Sequence, residues 1–62
     1  MMNFTVTTDA LKYKKMGGYS ANALNIHKFI AHLSIKFGFT QKELYRAYNK
    51  GKIKIHSIAI AW

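Results

Sequence analysis

Two carboxylates and three histidines are the chain's whole stock of side chains for acid–base or metal chemistry: Asp9, Glu43, His27, His32 and His56. Paired-carboxylate hydrolysis would have to use Asp9 with Glu43. Each has a local explanation instead, Asp9 at a turn and Glu43 in a helix cap. His27 and His32 are five apart, so they do not share a helix face as an i, i+4 pair does. The chain has no cysteine, which excludes a Cys-based zinc site and any disulfide. Nothing in the spacing assembles a Ser-His-Asp group. Gly17-Gly18 lacks the Lys and Ser/Thr that complete a phosphate-binding loop. These residues predict no metal, no cofactor and no catalytic site, and a protein that is not an enzyme.

Basic residues dominate instead. Ten Lys and Arg against two acids give a formal net charge of +8 in 62 residues. Half of the chain is hydrophobic, so this is the charge of a folded surface and not of a disordered tail. Such an excess predicts an anionic partner: nucleic acid, an anionic membrane surface or an acidic protein. The longest uninterrupted apolar run, Ile58–Trp62, is far too short to span a membrane, and no apolar signal segment opens the chain. The expectation is a soluble cytoplasmic protein with residues 1–62 as one small basic domain. A chain this short buries only about 60% of its unfolded surface. With no disulfide to help, a second copy is a common source of further burial.

The elements that must carry these charges can be read from the ends inward. Asn3–Thr8 alternates Phe4 and Val6 with threonines, as a half-buried strand does. Asp9–Lys15 fits a short helix or a second strand after a turn at Thr8–Asp9, with the helix preferred. Gly17-Gly18 breaks the chain. Ser20 is positioned to cap a helical segment reaching Phe37, with Ala23, Ile26, Ile30, Leu33 and Phe37 as its apolar stripe and Asn25, Lys28, His32 and Lys36 opposite. Periodicity leaves open whether this is one helix or two. Gly38 ends it.

The next stretch, GFTQKELYRAYNKG at Gly38–Gly51, is the most explicit in the chain. Thr40 and Glu43 have capping-box spacing, and Phe39 and Leu44 that of a hydrophobic staple. Gly51 can take the left-handed conformation that closes a helix. Lys52–Trp62 reads as a strand with Ile53 and Ile55 on one face. Ile58, Ile60 and Trp62 lie on the other, unless a bulge near His56–Ser57 changes the phase. The predicted fold is α+β: two or three short helices, helix-turn-helix-like, on a small antiparallel sheet made from the N- and C-terminal strands.

Around Gly38, a small residue at Ser34, the turn glycine, and apolar Phe37, Phe39, Leu44 and Ala47 make a helix-turn-helix pattern. The run GFTQKELYRAYNKGKIKI resembles the small phage Cro repressors, and the likeness covers roughly residues 20–55. The resemblance implies a phage-like, operator-binding homodimer on double-stranded DNA, acting as a transcriptional repressor with the capped helix in the major groove. It places Gln41, Lys42, Tyr45, Arg46 and Asn49 toward bases. Phosphate contacts fall to Lys28, Lys36, Thr40, Lys50, Lys52 and Lys54, and the dimer interface to Ile58, Ile60 and Trp62. The chemistry agrees, since Gln pairs bidentately with adenine and Arg with guanine.

Two other readings fit the same residues. A basic inhibitor or adaptor could cover an acidic surface of a host protein, using a patch of Tyr13, Tyr19, Tyr45 and Tyr48. The cytoplasm concerned would be the host's if the protein is viral. A bacteriocin-like precursor could be cleaved after Gly18 to release a cationic peptide. An exposed Gln41/Lys42/Arg46 ridge favours DNA; an exposed tyrosine patch favours a protein.

Overall fold

The computed structural model describes residues 1–59. The elements are β1 (Met2–Thr8), a 3-10 helix (Leu11–Met16), β2 (Ser20–Ala23), α1 (Ile26–Phe37), α2 (Gln41–Asn49) and β3 (Ile53–Ala59). The three strands form one antiparallel sheet in the order β2-β1-β3. Both α-helices and the 3-10 helix pack against it, so the fold is α+β with the sheet built mainly from the two ends of the chain.

Alternation in β1 decides which face of the sheet is the core. Phe4 and Val6 are buried, and their cross-strand partners are Ser57 and Ile55 on β3. Ile53 (opposite Thr8) closes the same face at 1% exposure. β3 pairs residue for residue with β1, from Met2↔Ala59 to Thr8↔Ile53, with no bulge. The register therefore puts Ile58 on the outward face, where it is 72% exposed. Ile60 and Trp62, the other two candidate interface residues, lie outside the described residues.

Ser20 does not cap a helix; it begins β2, a strand the sequence reading did not include. Thr5↔Ser20, Phe4↔Ala21, Asn3↔Asn22 and Met2↔Ala23 are cross-strand pairs. Gly18, at φ 81°, reverses the chain, and its N–H donates to the Val6 carbonyl while the Val6 N–H donates to Tyr19. The free edge of β1 thus recruits a segment with little strand propensity of its own. The helix starts five residues later than the Ser20 reading implied, and Asn25 is its cap, accepting from the Lys28 N–H at 3.0 Å. Ala23 accordingly drops out of the apolar stripe, and Asn25 leaves the polar face. Phe29 joins Ile30 and Leu33 as fully buried. α1 is one continuous helix.

The segment after β1 is helical, as preferred, but as a 3-10 helix that sends Tyr13 and Met16 into the core. Thr8 ties its entry to the far end of α2: the hydroxyl donates to the Lys52 carbonyl at 2.8 Å and accepts from the Ala10 N–H.

Two α-helices meet across Gly38, which sits at φ 80° and donates its N–H to the Ser34 carbonyl. The Ser34 hydroxyl then donates across the turn to the Phe39 carbonyl at 2.6 Å. A Cβ on Gly38 would meet nothing within 4 Å, so the strain there is purely conformational. Gly38→Ala is expected to cost about 1 kcal/mol through the left-handed backbone alone. Urea melts should show a lower midpoint with an unchanged slope; an unchanged midpoint would mean the turn does not hold this conformation in solution.

Candidate nucleic-acid interface

Burial orients α2. Leu44 and Ala47 face the core, at 0% and 2% exposure. At 100° per residue the opposite side must carry Lys42, Asn49 and Arg46. These three, with Gln41 and Lys50, are exposed. Lys42, Arg46 and Lys50 are four apart and so form one stripe along the helix. The Thr40 hydroxyl accepts from the Glu43 N–H at 3.1 Å, fixing where the helix begins. Gly51, at φ 76°, closes the other end, with the Lys52 N–H reaching back to the Ala47 carbonyl at 2.9 Å.

The capping box is only half formed. Glu43 carries its carboxylate away from Thr40, onto Lys12 of the 3-10 helix at 2.9 Å. That carboxylate, first as a hydrogen-bond acceptor and then as a charge, holds the Lys12 ammonium above the usual lysine range. Both side chains keep solvent contact, so the pair contributes little to stability.

Between the 3-10 helix and α2 lies an open cleft of about 370 Å3. Lys42, Arg46 and Lys50 form its α2 wall, Lys12 stands opposite, and Lys52 enters from the turn before β3. Lys12 was missing from the sequence reading. The signal was the run Lys12–Lys15, which only the tertiary fold connects to α2. Lys15, from the same run, lies over the Phe39 ring at 4.9 Å.

The other residues expected at the site divide. Tyr45 is half-buried at the seam between the helices, its hydroxyl hydrogen-bonded to Nδ1 of His27 and its ring 5.7 Å from the imidazole. It braces α1 against α2, apart from the ridge of Lys42 and Asn49. Lys28 is exposed on the first turn of α1. Lys36 lies over Tyr19 at 5.4 Å. It stands nine residues beyond His27, half a turn around α1, so it occupies the flank away from α2. Lys54 is on the outward face of β3, where it shares a shallow recess with Lys52, Gly51 and Asp9. Ridge and cleft are one surface; Lys36 is not part of it.

The tyrosines do not form a common patch. Tyr13 is buried against Phe39, with ring centroids 5.2 Å apart. Tyr19 stacks on His32 at 5.7 Å, and its hydroxyl bonds to Nε2 of that ring. Two of the three histidines are thus engaged by tyrosines. Among the described residues no three His, Cys, Asp or Glu are grouped to hold a metal ion. No helix among them is long and apolar enough to cross a membrane. The chain matches no protein-family model, no curated protein and no solved structure.

Proposed function

We propose that the protein is a non-enzymatic DNA-binding regulator that lays α2 in the major groove of double-stranded DNA. The observation that carries this is the exposed stripe Lys42–Arg46–Lys50 with Gln41 and Asn49 beside it, on a helix whose opposite side is locked into the core. Gln41, Arg46 and Asn49 supply the bidentate donors and acceptors that distinguish base edges. Lys42, Lys50 and Lys52 supply the phosphate contacts that position the helix without reading sequence. Tyr45 acts indirectly, by holding α2 against α1.

A second copy would fit along β3. One edge of β3 pairs with β1, and the other carries no strand among the described residues. Pairing there would extend the sheet across a two-fold axis and present a symmetric pair of α2 helices to two half-sites. Bound in this way in the cytoplasm of its cell, the protein would act by occupying a site that another protein needs. Cleavage after Gly18 fits poorly beside this, since it would remove β1, the strand at the centre of the sheet.

The test is retention of a random duplex pool over a salt series, with sequencing of what is kept. Enrichment of a palindrome with steep salt dependence is the expected result. Steep dependence without enrichment would leave a nonspecific DNA coat. No retention at low salt would sink the reading in favour of an acidic protein partner.

A further inference from the structure

The cleft between the 3-10 helix and α2 has a feature that duplex binding alone does not require. Cations from three separate segments converge on one concavity: Lys12; Lys42, Arg46 and Lys50; and Lys52. Surface lysines that only solvate a fold repel one another and spread apart. Here they line a common wall, and the chain's only glutamate is seated among them, its carboxylate 2.9 Å from Lys12. The cleft already holds one oxyanion, supplied by the chain itself. A single carboxylate leaves most of the positive charge of the five cations unanswered. Ammonium and guanidinium groups around a pocket match a phosphate better than a carboxylate, because phosphate offers more acceptor oxygens and more charge.

We propose that this cleft is a phosphate-binding site and that Glu43, paired with Lys12, is its built-in competitor. In the free protein Glu43 occupies Lys12 and weakens the field in the cleft. An arriving phosphate takes Lys42, Arg46, Lys50 and Lys52 and draws Lys12 away from Glu43. The chemistry is that of the phosphate group, whether it belongs to a nucleic-acid backbone or to a free polyphosphate. The inference goes beyond the duplex reading, because the cleft would take the oxyanion without any base being read.

The test is an NMR titration of the isotope-labelled full chain with inorganic pyrophosphate and, separately, with random duplex DNA at matched ionic strength. Each is repeated with Glu43→Gln and with the double variant Lys42→Met/Lys50→Met. Gln keeps the size and helix preference of Glu, and thermal melts check that each variant is folded. The expected result is saturable shifts confined to residues 12–13, 40–50 and 52. Glu43→Gln should tighten binding roughly three- to tenfold by removing a nearby like charge, and the double variant should weaken it at least as much. Saturation by pyrophosphate identifies a free polyphosphate as sufficient. The same pattern with duplex alone identifies the backbone as the source. Either upholds the site. Shifts spread over lysines on both flanks of α1, or a Glu43→Gln affinity equal to that of the parent, would overturn it. Duplex shifts along Gln41, Lys42, Arg46 and Asn49 that leave Lys12 and Glu43 unmoved would keep the DNA reading and remove the cleft. Pyrophosphate binding without duplex binding would do the reverse.

Discussion

Phe29→Ala is expected to leave the chain largely unfolded at 37 °C. Phe29 is 0% exposed and sits where three layers of contact meet. Its ring stacks on Phe4 of β1 at 5.3 Å and faces Tyr19 at 6.4 Å, so it joins α1 both to the central strand and to the entry of β2. Truncating a buried Phe to Ala costs about 3–5 kcal/mol, the lost transfer energy plus the cavity left behind. Typical stability, about 0.05–0.15 kcal/mol per residue, gives a chain of this length only about 3–9 kcal/mol. The loss therefore consumes most of the margin. A circular-dichroism melt should show the midpoint lowered by about 15–30 °C or no transition at all. Ile35→Ala on the same helix is the control. Ile35 is 85% exposed on the opposite side of α1, and the change should stay within about 0.5 kcal/mol. A Phe29→Ala melt within a few degrees of the parent would show that the core is not organised around this ring.

Phe29 also marks where sequence patterning stopped. Ile26, Ile30, Leu33 and Phe37 declare one face of a helix by their spacing, and the structure keeps that face toward the sheet. A stripe on a sheet is wider than the 3-4 pattern, however, and Phe29, four before Leu33, completes it on one side. Nothing local distinguishes Phe29 from the exposed Ile35. Both are large and apolar, and only the position of the sheet decides between them. β2 was hidden for a similar reason. Ser20–Ala23 has no β-branched residue, and its strand conformation is imposed by the unpaired edge of β1.

Local chemistry was far more legible. The Thr40 cap, the Gly38 turn and the closing Gly51 are each decided within a few residues, and each stands where the sequence put it. The exposed side of α2 follows from those bounds plus Leu44 and Ala47. What the sequence could not show is what approaches α2 from elsewhere. Lys12 is 31 positions from Glu43, and Tyr45 is 18 from His27. A capping-box spacing therefore predicted a local partner for Glu43, and a tertiary one took it. A tyrosine at a helical face position became a brace. Capping spacing reports the backbone; it says little about a long side chain that has a better charge within reach.

Arg46→Glu is expected to lower affinity for every duplex by roughly a hundredfold or more near 100 mM salt. Arg46 borders both the outward ridge and the cleft, so any approach of DNA to α2 passes it. The substitution does more than remove one cation. A glutamate at this position would stand four residues from both Lys42 and Lys50, the spacing at which opposite charges pair on a helix. It would engage lysines that otherwise release counterions on binding, so the slope of log affinity against log salt should shrink by about two to three units. Arg46 is exposed, so stability should change by no more than about 0.5 kcal/mol. Net charge alone is a competing explanation, and Lys36→Glu separates the two. It lowers the charge of the whole molecule by the same amount, but on the flank of α1 that carries Tyr19. If the α2 surface is the interface, Lys36→Glu should cost several-fold less than Arg46→Glu. Equal losses would mean that DNA senses only the total charge, and binding unaltered by Arg46→Glu would move the interface off α2.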